Sequence, residues 1–425
     1  MLIRFEVENF RSIRGRQALD LTRAGAGMQS RVAIKEEDVA AFPAVTVAAI
    51  YGANAAGKTT MLEAMDYVQR IVRSSARREA GVPLQMEPFL LDEESVSRSF
   101  ACRVVFRLDE FEYDYGFELR QGRVMEEHLN RSPLVGRRSV SRLFWRDGSL
   151  IKTGPTLTGA KASIIRRTRD NSLFLSTAAQ DNNSQLLGVY EWFLSFADAT
   201  MGSLSEASRV LETDAELRGH VAEILQVADL GVCELAIVLP EGDPPEDWVR
   251  ELADDESQEA LDRARRRLIE ANKRPLLRHR GMGDRSYPLR WSQESRGTQL
   301  FFPLLVGALR ALEKGQIVLI DELSGLHPLL VREIIMLFQS RRTNSHGAQL
   351  VFTTHDSGLL GSHAGRGYLL DRDQIWLAEK DQEGVTELYP LSDFHPRNTE
   401  DIEKAYLQGR FGGLPVLDEI EEVIG

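Results

Sequence analysis

The residues between Gly52 and Thr59 have the types and the spacing of a loop that binds phosphate. The stretch "YGANAAGKTT" fits the pattern G-x-x-x-x-G-K-[ST]. In such a loop Gly52 and Gly57 let backbone N–H groups face the phosphates, and the N-terminus of the next helix adds a positive dipole. We therefore expect Lys58 to reach the β- and γ-phosphates of a nucleotide and the Thr59 hydroxyl to ligate Mg²⁺.

The segments on either side of this loop must position it. "AVTVAAIYG" is a short apolar run that predicts a buried strand, and "KTTMLEAMDYVQRIVRSS" has apolar residues at the spacing of a helix. A chance match in a Gly- and Ala-rich loop is the alternative. The order of strand, glycine loop and helix argues against it.

A second segment, "GQIVLIDELSGLHP" at 315–328, carries the acids that such a loop needs. An apolar strand ends there at Asp321 and Glu322. We expect Asp321 to hold the Mg²⁺ shell and Glu322 to act as general base on the attacking water. A strand that ends in a solvated acidic turn is the alternative when this segment is considered alone.

Two further segments could contact phosphate. In "AQLVFTTHDSGLL" His355 follows a predicted strand, where it could hydrogen bond the γ-phosphate, although a lone histidine there is often incidental. In "SQESRGTQLFFPLLVGAL" Ser295 and Gly297 open an apolar helix. A second anion-binding helix start indicates a site completed by another subunit, and a plain N-capped helix is the alternative.

The order of these motifs resembles that of the ABC-type ATPases, in the branch that includes RecF, SMC and OLD-like proteins. "IRFEVENFRSIRG", "ESRGTQ" and "DELSGLHP" are similar to that branch's first strand, degenerate signature motif, and joined Walker B and D-loop. "PFLLDEES", "DQIWLAEKD" and "DIEKAYLQGRFGGLPVL" resemble segments of the abortive-infection-type AAA/ABC ATPases of prokaryotes. The resemblance covers both ends of the chain well and the middle poorly.

The resemblance implies a set of site residues. It implies that ATP and Mg²⁺ are bound by Gly52, Asn54, Gly57, Lys58, Thr59 and Thr60. It implies that Asp321 is the metal ligand, Glu322 the base and His355 a switch histidine.

Other roles follow from the resemblance as well. Ser295 and Gly297 would contact the γ-phosphate of the opposite subunit's ATP, and Arg11 would lie near the phosphates. Gln180 is the better candidate for the Q-loop glutamine and Gln85 the weaker one. The signature departs from the usual L-S-G-G-Q at Glu294, Arg296 and Thr298.

The expected fold is α/β, an ABC-type P-loop ATPase head with two lobes, a mixed sheet with flanking helices, and a helical insertion. We predict lobe I at 1–180, a mostly helical insertion at 181–290 and lobe II at 291–425. The insertion is too short for a long coiled coil. Too few residues follow His355 for a nuclease domain, so any effector would be a separate protein.

Composition is that of a soluble globular protein. The chain has 425 residues, of which 43% are hydrophobic and 27% charged, with a net charge of −12. There is no apolar run long enough to span a membrane and no signal-peptide pattern at the start. Cys102 and Cys233 show no metal-type spacing, which favours ordinary thiols in a cytoplasmic protein.

The charge is uneven along the chain. Residues 131–169 contain ten Lys or Arg and one acid, Asp147, whereas 241–259 contain nine acids and one base, Arg250. The basic segment could contact nucleic acid or be a solvated hairpin rim. The acidic segment could dock a basic partner or be a solvated helix face.

Two functions from different classes remain. The first is an ATP-driven switch that forms a homodimer or higher oligomer around ATP and controls a separate effector, with a defence role implied only by the resemblance. The alternative is a RecF-like DNA-binding repair ATPase that uses the 131–169 arginines. A transporter ATPase fits less well, because its signature motif is more regular.

Overall fold

The computed structural model describes residues 1–23, 42–136, 139–197, 203–228, 230–239, 244–253, 255, 257–323, 325–363, 367–397 and 400–414, with the backbone alone at 270, 271 and 284. Arg137 and Arg138 of the basic segment lie outside the described residues. So do 241–243, 254 and 256 of the acidic segment, and the last three residues of "DIEKAYLQGRFGGLPVL".

The strands are β1 (Leu2–Glu8), β2 (Gln17–Asp20), β3 (Val47–Tyr51), β4 (Phe100–Leu108), β5 (Phe111–Arg120), β6 (Arg123–Pro133), β7 (Ser141–Asp147), β8 (Leu150–Thr153), β9 (Phe196–Ala197), β10 (Val232–Val238), β11 (Arg274–Arg280), β12 (Ser286–Leu289), β13 (Ile317–Ile320), β14 (Gln349–Thr354), β15 (Ser362–His363), β16 (Gly367–Tyr368), β17 (Ile375–Lys380) and β18 (Thr386–Pro390). The α-helices are α1 (Lys58–Ser74), α2 (Glu93–Ser97), α3 (Lys161–Arg167), α4 (Phe174–Gln180), α5 (Ser184–Leu194), α6 (Leu204–Thr213), α7 (Ala215–Val227), α8 (Glu246–Leu252), α9 (Gln258–Ala271), α10 (Arg296–Lys314), α11 (Pro328–Gln339) and α12 (Ile402–Leu407).

The chain divides into two compact units. The first comprises Met1–Ala199, Ala311–Ser324 and Ile335–Gly425, and the second comprises Thr200–Arg310 and Gly325–Ile334. Helix α5, which the sequence prediction assigned to the insertion, belongs to the first unit. The reason is aromatic packing, because the ring of Trp192 stacks on that of Phe106 with centroids 3.8 Å apart.

A mixed sheet in the first unit carries the phosphate loop. Its order is β18-β17-β3-β14-β13-β9, and all neighbours are parallel except β17 and β18. The strands β3, β13 and β14 are buried along their whole length, and the sequences of β3 and β13 are accordingly apolar throughout. The carboxyl ends of these three strands meet at one edge of the sheet, and that edge positions the candidate site.

An antiparallel sheet forms the other layer of the first unit, in the order β2-β1-β4-β5-β6-β7-β8. It is tied to α4 by a buried carboxylate, Glu127. This carboxylate accepts hydrogen bonds from the backbone N–H groups of Phe174 at 2.6 Å and Leu175 at 3.0 Å. With the mixed sheet and flanking helices, this confirms the predicted α/β fold.

The second unit is less helical than the sequence predicted. Its strands β10, β11 and β12 form an antiparallel sheet beside helices α6 to α9. Two of its helices, α7 and α9, lie within the segment 181–290 that was predicted to be mostly helical. The sheet was missed because the polar residues of "RPLLRHR" in β11 obscure the strand alternation. Within the described residues, no helix is both long and apolar enough to cross a membrane.

Candidate functional site

The phosphate loop joins β3 to α1 and is shaped by its second glycine. Gly57 has a φ of 95°, in the left-handed region that residues with side chains rarely adopt. A Cβ at this position would lie 2.0 Å from Thr386 Oγ1, so no larger residue fits. Lys58 is buried, and its Nζ donates to the carbonyls of Gly52 at 2.9 Å and Ala53 at 3.0 Å. These contacts hold the ammonium group against the loop.

The electrostatic setting of Lys58 favours an anionic partner. Burial lowers the pKa of Lys58, and the nearby carboxylates of Glu322 and Asp321 oppose this effect by raising it. The net direction is a lowered pKa. A buried ammonium group is stabilised by an anion that replaces the water it has lost, so a phosphate chain is a suitable partner.

Thr59 and Asp321 come together across the sheet edge. The hydroxyl of Thr59 lies 2.9 Å from Asp321 Oδ1 and 3.1 Å from Oδ2. A third residue, Thr353 in β14, donates a hydrogen bond to Asp321 Oδ1 at 2.7 Å. Hydroxyl and carboxylate oxygens are the ligands that Mg²⁺ prefers, so the pair formed by Thr59 and Asp321 fits that ion.

Glu322 is the next residue along and has an unusual backbone. Its φ is 64°, which is uncommon for a residue other than glycine, asparagine or aspartate. Its N–H donates to Thr353 Oγ1 at 2.9 Å, and its Oε2 lies 3.0 Å from His355 Nδ1. The side chains of Glu322 and His355 are 34% and 55% exposed, so water can reach both. The structure therefore brings Glu322 and His355 together at the edge that also carries Asp321.

The remaining residues of the loop differ in their surroundings. Asn54 is exposed, whereas Thr60 is buried and its hydroxyl lies 3.0 Å from Ser12 Oγ. Arg11 forms ion pairs with Glu63 of α1 and with Glu87, which lies in the segment between α1 and α2. Glu63 is one helical turn beyond Thr59 along α1, so Arg11 lies beside the predicted site. Its guanidinium group contacts carboxylates there.

The structure does not bring Gln180 to the phosphate loop. Gln180 is exposed at the end of α4, and α4 contacts the far end of α1, where Ser176 Oγ donates to the carbonyl of Val72 at 2.6 Å. Val72 is about 21 Å along the helix from Lys58 at 1.5 Å per residue. Gln85, the weaker candidate, is exposed, and its carbonyl accepts from Tyr67.

Ser295 and Gly297 lie in the second unit, at the start of α10. Ser295 is exposed, and its Oγ accepts from the N–H of Thr298 at 3.1 Å, which is an N-cap contact. Glu294, one of the departures from the usual signature, is buried, and its Oε1 lies 2.9 Å from His279 Nε2. The glutamate at this position of the signature therefore has a hydrogen-bonding partner within the same unit, His279.

Three hydroxyl residues of the site were not predicted from the sequence. Thr353 contacts both acidic residues, while Ser12 and Thr386 lie behind the loop, with the two side-chain oxygens 2.8 Å apart. For Thr353, the only indication in the sequence was the pair of threonines that precedes His355 in "VFTTHD". Neither Ser12 nor Thr386 has a local motif, because each contacts the loop from a distant part of the chain.

A glycine loop between a parallel strand and a helix, with an acidic pair at the end of a neighbouring parallel strand, defines a P-loop nucleoside triphosphatase. Residues 47–361 match the family described as "AAA domain, putative AbiEii toxin, Type IV TA system". The match spans well over half of the chain, and the protein belongs to this family of AAA-type ATPases.

The chain is also similar to solved structures. It aligns with the SMC head domain from Thermotoga maritima at 14% identity and a TM-score of 0.40, covering 92% of this chain and 98% of that chain. It aligns with the recombination mediator protein RecF of the RecFOR pathway in two structures. With ATPrS the identity is 15%, the TM-score 0.35, and the coverage 91% and 98%. With ATP the identity is 16%, the TM-score 0.35, and the coverage 91% and 97%. No curated protein shows a significant match.

Proposed function

We propose that the chain binds and hydrolyses ATP with Mg²⁺ and that it acts as a molecular switch. One observation carries this proposal. The P-loop residue Thr59 contacts Asp321 at 2.9 Å, and Glu322 contacts His355 at 3.0 Å beside it. A metal-ligand pair and a water-facing carboxylate therefore converge on the same edge of the sheet as Lys58.

Each residue then has a chemical role. Lys58 binds the β- and γ-phosphates, and Thr59 with Asp321 holds the metal ion. Bound Mg²⁺ would neutralise charge on the phosphate oxygens. Glu322 accepts the proton of the attacking water, while His355 orients the Glu322 carboxylate through its ring nitrogen.

We further propose that two subunits enclose ATP, with Ser295 and Gly297 of one subunit facing the phosphates held by the other. The N-terminus of α10, a helix of 19 residues, supports this because Ser295 and Arg296 are exposed there and the helix dipole is positive at that end. The name of the family, which includes the AbiEii toxin and type IV TA systems, agrees with the defence role that the resemblance implies. A separate effector protein would act downstream.

Replacement of the proposed base tests this function. We expect Glu322→Gln to lower the rate of ATP hydrolysis about 10²- to 10⁴-fold, while ATP stays bound and the protein elutes as a dimer in gel filtration. Lys58→Ala should fail to retain ATP. Glu383→Gln, an exposed carboxylate in a turn, is the matched control. An unchanged hydrolysis rate in Glu322→Gln would rule out the base assignment. Proteins that co-purify with the Glu322→Gln form would identify the effector.

One specific observation favours the second candidate function, a RecF-like DNA-binding ATPase. An open groove of about 550 Å³ runs along β7 and β8 and is lined by Val140, Ser141, Arg142, Trp145, Lys152, Thr153, Gly154, Pro155 and Thr156. None of these lining residues is acidic. Lys152 Nζ lies 5.2 Å from the centre of the Trp145 ring. A cationic groove with an aromatic ring suits a single strand of nucleic acid.

Several of the 131–169 arginines do not contribute to this groove. Arg146 is buried and donates to the carbonyls of Ser172 and Arg169, and Arg169 donates to the carbonyl of Arg78. The cationic residues among those that line the groove are Arg142 and Lys152, so these two test the nucleic-acid candidate. We expect a double charge reversal of these two residues to abolish the binding of single-stranded oligonucleotides at low salt. The control is Arg266→Glu, on the exposed face of α9. Equal binding by wild type and the double variant would exclude this surface.

A further inference from the structure

Two distant segments of the chain pack behind the phosphate loop, and no chemical role has been assigned above to the hydroxyl groups that they carry. The first is the turn that contains Ser12, and the second is the hairpin of β17 and β18. The N–H of Thr386, the first residue of β18, donates to the carbonyl of Ser12 at 2.8 Å. The side-chain oxygens of Ser12 and Thr386 also lie 2.8 Å apart. The two segments are therefore joined directly beneath the loop.

Their hydroxyl groups form a chain of hydrogen bonds that ends on the loop itself. Thr386 Oγ1 lies 3.0 Å from the carbonyl of Ala56, and Ser12 Oγ lies 3.0 Å from Thr60 Oγ1. A hydroxyl has one proton, and the carbonyl can only accept. Thr386 Oγ1 is placed to donate to Ser12 Oγ and to the carbonyl of Ala56, so its one proton serves one of these acceptors at a time, and either hydroxyl of the Ser12–Thr60 pair can donate.

The space around Gly57 explains why these hydrogen-bonded hydroxyls affect the shape of the loop. A Cβ at Gly57 would lie 2.0 Å from Thr386 Oγ1 and 2.9 Å from Ser12 Oγ, so the backbone of the loop rests directly on the two hydroxyls. Thr386 is 2% exposed, so water cannot replace its hydroxyl. The conformation of Gly57 is therefore set from behind by Ser12 and Thr386.

The same hairpin also borders the first glycine of the loop. A Cβ at Gly52 would lie 2.5 Å from the carbonyl of Ala378 in β17. Glu379 in turn accepts from the N–H of Gly413 at 2.7 Å, and a Cβ at Gly413 would lie 3.6 Å from the Cα of Gly52. The segment after His355 thus reaches both glycines of the phosphate loop.

We propose that Ser12 and Thr386 are positioning residues for nucleotide binding, which hold the P-loop backbone in the conformation that receives the phosphates. This inference rests on the proposed function, since it requires that the loop bind ATP. The backbone N–H groups of the loop bind phosphate in the ground state and in the transition state alike. Their displacement should therefore weaken ATP binding and leave the turnover rate at saturating ATP nearly unchanged.

The test compares three variants with wild type in equilibrium binding of ATP with Mg²⁺ and in steady-state hydrolysis. Thr386→Val keeps the shape of the side chain and removes its hydroxyl, and we expect it to raise the Kd and the KM for ATP about tenfold. Thr386→Ser keeps the hydroxyl and should restore binding close to the wild-type value. Ser12→Ala should weaken binding by less than the Thr386→Val variant, because its carbonyl still accepts from Thr386.

Thr177→Val is the matched control. Thr177 is 7% exposed and its Oγ1 lies 2.9 Å from Ser172 Oγ, but it belongs to α4. If Thr386→Val binds ATP as tightly as wild type, or if Thr177→Val weakens binding equally, the inference is wrong. Should Thr386→Val fail to fold, wild-type affinity in Ser12→Ala would overturn it instead. If wild type itself shows no more ATP binding than Lys58→Ala, the proposed function fails, and the inference fails with it.

Discussion

Glu322 Oε2 and His355 Nδ1 lie 3.0 Å apart, although 33 positions separate the two residues along the chain. The contact forms because β13 and β14 are parallel neighbours and their carboxyl ends meet at one edge of the sheet. A ring nitrogen that binds one carboxylate oxygen restricts the rotation of that carboxylate. We infer that His355 aims the remaining lone pairs of Glu322 at the water that attacks the phosphate.

This contact predicts the effect of removing the histidine. We expect His355→Ala to lower the turnover rate of ATP hydrolysis at least about tenfold, because Glu322 would lose its orientation, with little change in ATP affinity. Steady-state kinetics and equilibrium binding separate the two quantities. His346→Ala is the control, since His346 is exposed and its ring contacts Ser345. A normal turnover rate in His355→Ala would contradict the assignment.

Thr353 predicts a change in metal dependence. Its hydroxyl donates to Asp321 Oδ1 at 2.7 Å and accepts from the N–H of Glu322 at 2.9 Å. We expect Thr353→Val to raise the Mg²⁺ concentration that gives half-maximal ATP hydrolysis, because the Asp321 carboxylate would no longer be held. The neighbouring Thr354→Val is the control, since Thr354 accepts from the N–H of Asp356. The prediction fails if the two variants show the same Mg²⁺ dependence as wild type.

A shared site between two subunits predicts complementation. Lys58→Ala should disable the loop side of each site, and Ser295→Arg should disable the α10 side. Each variant alone should be inactive. Equimolar mixing should restore hydrolysis, because a mixed dimer contains one site with both sides intact. If mixing restores no activity while both variants remain folded and dimeric, the proposal of a site shared between two subunits is wrong.

Asp114 predicts a change in stability with pH. Burial raises the pKa of Asp114, but the nearby His128 ring and the Arg103 guanidinium, which donates to both carboxylate oxygens, outweigh it and hold the pKa well below the usual range. The ionised carboxylate therefore stabilises the fold above the unfolded pKa of about 3.9, and this stabilisation is lost as the pH falls through the folded pKa. We expect Asp114→Asn to be about 2 kcal/mol less stable than wild type at neutral pH, and the difference to shrink in acid.

Urea denaturation at neutral and acid pH measures this difference. Asp109→Asn is the control, because Asp109 is an exposed residue in the turn between β4 and β5 and already has a φ of 51°. A pH-independent difference between Asp114→Asn and wild type would show that the Asp114 ion pair does not titrate as described.

The candidate site was partly predictable from the sequence. The strand, glycine loop and helix around Lys58 are contiguous, and the apolar strand before Asp321 and Glu322 is a local pattern as well. The prediction of a Q-loop glutamine had less support than the predictions for the glycine loop and the acidic pair, because no local pattern identifies such a glutamine. The structure shows α4, which carries Gln180, against the far end of α1.

The amino-acid sequence by itself determined where the glycine loop lies, since the loop, the strand before it and the helix after it are contiguous along the chain. Only the tertiary structure decided what holds that loop in place. Ser12 and Thr386 are 374 positions apart, yet their hydroxyls meet behind Gly57. Contacts of that kind arise when β3 and β17 pair as parallel neighbours in the folded sheet, and no spacing along the chain encodes which distant hydroxyl will face the loop.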